Sequence, residues 1–121
     1  MELGKRERQI MDAVYRLGRA TVAEVRAEIP DPPSYSAVRG MMRFLEDKGQ
    51  LRHVQEGVRY VYLPTVAPAR ARRSALEKLV HTFFGGSRRE AVAALIEDAG
   101  LENEDLDRLQ ALIDKARKEE R

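Results

Sequence analysis

The chain has 121 residues, 43% hydrophobic and 35% charged, with a formal net charge of +2, the balance of a small soluble helix-rich protein. It has no cysteine, which excludes disulfides, thiolate metal sites and thiol redox sensing. No apolar run approaches the roughly 20 residues a membrane span needs, and the start Met1–Arg6 has no apolar signal core, so a cytoplasmic protein without a membrane partner is expected.

Residues 5–17 read as a helix, with Ile10, Met11, Val14 and Leu17 at helical spacing and Gly18 as its stop. Thr21-Val22-Ala23-Glu24 is a capping box opening a short helix that turns Val22, Val25 and Ile29 to one side. Pro30-Asp31-Pro32-Pro33 cannot continue it, because proline removes amide donors and clashes with the preceding turn. Ser34 is then a good N-cap for a helix over about 35–48, which Gly49 terminates.

After Gly49 the period changes. Leu51–Gln55 and Val58–Leu63 interleave β-branched, aromatic and charged residues around Glu56-Gly57, so a β-hairpin is expected. Tyr60 and Tyr62 share one side of their strand and read as core. Pro64 and Pro68 suggest a linker. Three helices follow. The first, about 69–84, groups Leu76, Leu79, Val80 and Phe83. Gly85-Gly86 breaks the chain, and Ser87-Arg88-Arg89-Glu90 reads as a second capping box, for a helix turning Val92, Leu95, Ile96 and Ala99 inward. Gly100 ends that helix. Asn103 is a candidate cap for the last one, with Leu106, Leu109, Ile113 and Ala116 in series.

The expected fold is mainly α with a small β-hairpin wing: a winged helix-turn-helix plus a C-terminal helical dimerisation region. The expected domains are 1–65 for DNA binding and 66–121 for dimerisation. About 50 residues of amphipathic helix bury too little alone, so their stripes (Leu76, Leu79, Val80, Phe83, Val92, Leu95, Ile96, Leu106, Leu109, Ile113) suit a second copy of the chain. Folding back onto the N-terminal unit is the alternative.

The helix at 35–48 carries the chemistry. Val38, Met41, Met42 and Leu45 form one stripe; Ser36, Arg39, Gly40 and Arg43 form the opposite one, free of acids until Glu46 and Asp47 at the far end. Small residues let a backbone approach DNA closely, and an arginine can donate two parallel bonds to guanine O6 and N7 or clamp a phosphate. Ser34 and Ala37 lie at the same helix start, the part that meets base edges in a major groove. Arg52, His53, Gln55 and Arg59 on the hairpin would meet phosphates or the minor groove; His53 as a partly buried filler is the other reading.

Residues 66–89 carry Arg70, Arg72, Arg73, Lys78, Arg88 and Arg89 against Glu77 alone, whereas the chain beyond is acidic, from Glu97 to Asp114. That asymmetry fits either a polyanion partner or two differently solvated surfaces. The acids at 97–107 suit helix starts better than a metal. The two histidines, His53 and His81, are far apart, and neither HExxH nor a glycine-rich phosphate loop occurs. No catalytic residue, metal or cofactor is expected.

Arg8–Tyr15, Thr21–Val25, Ser34–Arg39, Leu45–Gly49, Tyr60–Tyr62, Phe83–Gly86 and Leu101–Leu106 through Leu109 and Leu112 match, in order and spacing, the penicillinase repressor family of bacterial winged-helix regulators. The chain resembles this BlaI/MecI/CopY group over nearly its whole length. The resemblance implies a homodimer held by C-terminal helices and a repressor that binds a pseudo-palindromic double-stranded DNA operator, with Ser36, Ala37, Arg39 and Arg43 at the DNA. It also implies release by a regulatory protease or another inducer. Members induced by cleavage are cut at an Asn-Phe bond, which the corresponding Ala91–Leu95 lacks, and copper-responsive members use C-terminal cysteines, which are absent here. A winged-helix adaptor that binds proteins without specific DNA binding is the alternative reading.

Overall fold

The computed structural model describes residues 3–98 and 100–119. Helix α1 (Lys5–Leu17) buries Ile10, Met11, Ala13 and Val14 and stops at Gly18, whose φ of 81° only glycine adopts without strain. Leu17, expected on the buried stripe, is exposed; Ala13 holds the inner position instead. Leu17 shares the spacing of Ile10, Ala13 and Val14, but it is the last residue of the helix, where the buried face runs out to solvent.

Helix α2 (Val22–Glu28) begins at Thr21. The Glu24 amide donates to Thr21 Oγ1 (3.2 Å), and the Thr21 amide donates to Glu24 Oε1 (2.9 Å), so the expected reciprocal cap is present. The Thr21 amide first, and then the Thr21 hydroxyl beside the carboxylate, hold the Glu24 carboxyl below its usual range, with smaller help from Arg59 and Arg19. The proline turn carries Asp31 at φ 49°, a left-handed conformation that short polar side chains tolerate. Two arginines pin this turn: Arg6 donates to the carbonyls of Pro30 (3.4 Å) and Asp31 (3.0 Å), and Arg26 to that of Pro33 (2.8 Å).

Helix α3 (Tyr35–Asp47) buries Val38, Met42 and Leu45, with Met41 half-buried beside them. Strands β1 (Leu51–Glu56) and β2 (Arg59–Pro64) pair antiparallel, from Leu51 opposite Pro64 to Glu56 opposite Arg59. The turn is Gly57-Val58, one residue later than expected. Positive φ at the first central position is what a two-residue II′ turn requires, and Gly57 (φ 65°) supplies it there. The amide of Ala20 donates to the Tyr62 carbonyl (2.9 Å) and the Tyr62 amide to that of Ala20 (2.8 Å), fastening the hairpin to the α1–α2 loop. One core joins these elements: Ile10, Val14, Val25, Val38, Met42, Leu45, Leu51 and Tyr62 are all nearly or fully buried.

The chain divides into two compact units, Met1–Ser74 and Ala75–Arg121, and the division falls within α4 (Pro68–Phe84). Helices α5 (Arg88–Asp98) and α6 (Asn103–Glu119) complete the second unit. The Ser87 cap is one-sided: the Glu90 amide donates to Ser87 Oγ (3.1 Å), while the Glu90 carboxylate meets Arg89 (3.3 Å) rather than returning to the Ser87 backbone. Residue Glu102, not Asn103, holds the cap position of α6, since its carbonyl accepts from the Leu106 amide. The expected inward stripe of α5 is not buried: Val92, Leu95 and Ile96 are exposed and Ala91 is the buried residue, because three helices this short cannot cover each other's apolar faces. Ala99 lies outside the described residues. Leu76, Leu79, Phe83, Leu106 and Ile113 are exposed too, Phe83 at 75%; Val80 and Leu109 are half-buried.

The fold is a winged helix-turn-helix followed by a helical C-terminal region. Among the described residues, no helix is long and apolar enough to cross a membrane.

Candidate nucleic-acid interface

The site is built on the outer side of α3. Its start is capped by Ser34, whose Oγ accepts from the Ala37 amide (3.1 Å), and no acid occupies the first turn. The positive end of the helix dipole is therefore offset by no acidic side chain of the first turn. With Val38, Met42 and Leu45 anchored in the core, the geometry of the helix sends Ser36, Arg39, Gly40 and Arg43 outward, and all four are exposed, as are Ser34 and Ala37. Both arginines are exposed, and among the described residues neither Arg39 nor Arg43 is ion-paired.

The hairpin forms the opposite wall of a groove whose floor is the start of α2. Strand pairing sorts the hairpin residues onto two faces. Leu51, His53 and Gln55 share a face with Tyr60, Tyr62 and Pro64; Arg52, Val54 and Glu56 share the other with Arg59, Val61 and Leu63. The four hairpin candidates therefore do not act as one patch. His53 and Gln55 stand on the α3 side, whereas Arg52 stands on the far side. Arg59, beside the turn, borders the groove from the tip.

His53 is half-buried and serves as a joint. Its Nδ1–H donates to Glu46 Oε2 (2.6 Å), since a carboxylate can only accept. Its ring stacks on Tyr60, with centroids 4.1 Å apart and planes 11° from parallel, and lies 5.7 Å from Tyr62. This clamps the last turn of α3 to β2. Tyr60 is not core as expected. It stays 47% exposed with one ring face covered by His53, because it is one step nearer the tip than Tyr62 and beyond the reach of the core. Burial, then the nearby Glu46 charge, pushes the Tyr62 hydroxyl above its usual range. Gln55 spends an amide proton on the Gly57 carbonyl (3.3 Å), bracing the turn. On the far face Arg19 pairs with Glu56, a second tie between hairpin and α1–α2 loop.

Sequence reasoning missed Tyr35, the first residue of α3, which is half-exposed at the groove mouth. It also missed Phe44, exposed beyond the buried arc. For Phe44 the signal was available: it falls outside the Val38, Met42, Leu45 spacing. Among the described residues no cluster of His, Cys, Asp or Glu could hold a metal ion.

A solved structure titled as that of the CopR repressor is similar at 29% identity, over 55% of this chain and 99% of that one, with a TM-score of 0.47. No curated protein matches the sequence. The family model of the penicillinase repressor matches residues 3–115. With that match running from α1 into the last turns of α6, the chain belongs to the penicillinase repressor family, whose members are regulatory repressors rather than enzymes.

Proposed function

We propose that this protein is a cytoplasmic, sequence-specific DNA-binding repressor acting as a homodimer on a pseudo-palindromic operator. Residues 1–65 would be its DNA-binding domain and 66–121 its dimerisation domain. The observation that carries the reading is the outer stripe of α3, where Arg39 and Arg43, exposed and without an ion pair among the described residues, stand beside the small Ser36 and Gly40 on a helix locked from behind.

In this reading α3 lies in the major groove. Ser34, Ser36, Ala37 and Gly40 permit close approach, and Arg39 and Arg43 reach guanine O6 and N7 or adjacent phosphates. The hairpin follows the neighbouring backbone, Arg59 and Arg52 supplying charge while His53 and Gln55 fix its pose. The exposed apolar side chains of α4 to α6, notably Leu76, Phe83, Leu95, Ile96 and Leu112, support a second copy as their cover. A two-fold dimer places its α3 helices on one side of the duplex, with half-sites about one or two turns apart at roughly 34–36 Å per turn. Occupying that site blocks transcription without chemistry.

The test is selection of genomic fragments with the purified full chain, paired with sedimentation at micromolar concentration. The expected result is a symmetric site and a dimer. A stable monomer removes the two-fold geometry, and no salt-sensitive duplex binding leaves the adaptor reading in its place.

A further inference from the structure

The outward half of α3 carries two parallel lanes of different chemistry. With 3.6 residues per turn, Ser36, Arg39 and Arg43 succeed one another at spacings of three and four and open onto the hairpin groove. Ala37, Gly40, Phe44 and Lys48 succeed one another at three, four and four on the flank turned away from the hairpin. Gly40 is the seam: it borders the groove as well, whereas Ala37 and Phe44 do not. All four residues of the second lane are exposed.

Phe44 keeps 42% of its surface in solvent on a helix whose core positions are already filled by Val38, Met42 and Leu45. The Lys48 ammonium sits 5.4 Å from the ring centroid, a cation–π contact that holds a positive charge at the rim of this apolar lane. In front of the ring, a side chain built on Gly40 would meet nothing within 4 Å. The lane is therefore an open apolar strip from Ala37 to Phe44 with no side chain over Gly40, neighboured by cations: Arg39 and Arg43 across the seam, Lys48 at the end.

Resting on the DNA-binding reading above, we infer that this lane reads thymine. Phe44, with Ala37, packs on thymine C5-methyl groups in the same major groove whose guanines face Arg39 and Arg43. The methyl is the apolar group that base edges present there, and alanine and phenylalanine are the side chains suited to it. A phenyl ring offers a phosphate no hydrogen bond, and pressing it against one would desolvate the charge without compensation. The flanking cations match a polyanion and argue against an apolar protein partner, which would leave them unpaired. Lys48 serves the phosphate beside the thymine. Each half-site thus carries guanine on the hairpin side of α3 and thymine on the other.

The experiment uses the full chain and a duplex from its own selected fragments, with each thymine replaced in turn by deoxyuridine, which lacks only the C5-methyl. Wild type should bind about fourfold more weakly for each contacted methyl removed, the equivalent of one buried CH₂. Phe44→Ala should bind the thymine duplex correspondingly more weakly and lose the thymine–uracil difference at that position. Phe44→Leu should keep most of it, and the salt slope should stay unchanged in both. Circular dichroism checks that the variants retain their helices. No thymine–uracil difference in wild type, or an equal difference in wild type and Phe44→Ala at every position, overturns the thymine assignment. Arg39→Ala weakening binding in that case would leave the DNA-binding reading standing; a wild-type chain that binds no duplex would overturn both.

Discussion

Arg39→Ala is the most informative single change. The side chain is exposed and, among the described residues, makes no ion pair, so its removal breaks no internal salt bridge. Folding stability should therefore move by no more than about 0.5 kcal/mol. Binding is a different matter. A bidentate arginine–guanine pair contributes about 1–3 kcal/mol of discrimination, and a two-fold dimer loses it in both half-sites. The combined loss is about 2–6 kcal/mol, roughly thirtyfold to more than ten-thousandfold in affinity. Fluorescence anisotropy with the selected duplex and a scrambled one, repeated between 50 and 200 mM salt, separates two roles. A base reader loses affinity for the selected duplex and leaves the scrambled one nearly untouched. A phosphate clamp weakens both alike and lowers the salt slope by about 0.9 per contact, close to 2 for the dimer. Unchanged affinity for both duplexes with an unchanged slope would refute the placement of α3 in the groove.

Other substitutions probe the frame that holds the site. Leu45→Ala empties a fully buried position behind Arg43 and should cost about 2–5 kcal/mol in urea unfolding, with a wild-type m-value. Ser34→Ala removes the acceptor of the Ala37 amide and should cost about 0.5–2 kcal/mol, whereas Ser34→Asp should restore most of that stability. The Glu24 carboxyl is held below its usual range, so its contribution is fully present above the unfolded value near 4.3 and is lost as pH falls through the lower folded value. Thr21→Val removes the hydroxyl bond responsible for part of that lowering. The stability gap between wild type and this variant should therefore be widest near neutrality and narrow below about pH 4; a gap independent of pH would disprove the coupling.

What could be read from the residues alone was whatever is settled within a few positions along the chain. The Thr21–Glu24 reciprocal cap, the Ser34 cap, the Gly18 stop and the proline turn are local chemistry, and each stands where spacing placed it. The division of α3 into buried and exposed stripes is equally local, since period alone determines it. Contacts across the hairpin were not legible. His53 meets Glu46 and Tyr60 only because the strand register puts them together, and that register depends on a turn centred on Gly57-Val58. The arginine anchors on the proline turn reach backbone carbonyls, which no pattern of side chains announces. In the second unit the periodicity located the helices. It said nothing of which apolar positions the chain itself would cover, because Val92 and Ala91 differ only in what stands opposite them.

The paired hydrogen bonds between Ala20 and Tyr62, joined by Arg19 and Glu56, have a bearing on how such a protein could change its target. They make the β-arm part of the chassis instead of a swinging lever, so its reach from α3 is preset. On the proposed reading, a lineage that shifts to a new DNA address must therefore do so by exchanging the side chains displayed on α3, while the distance between what the helix touches and what the arm touches is inherited unchanged.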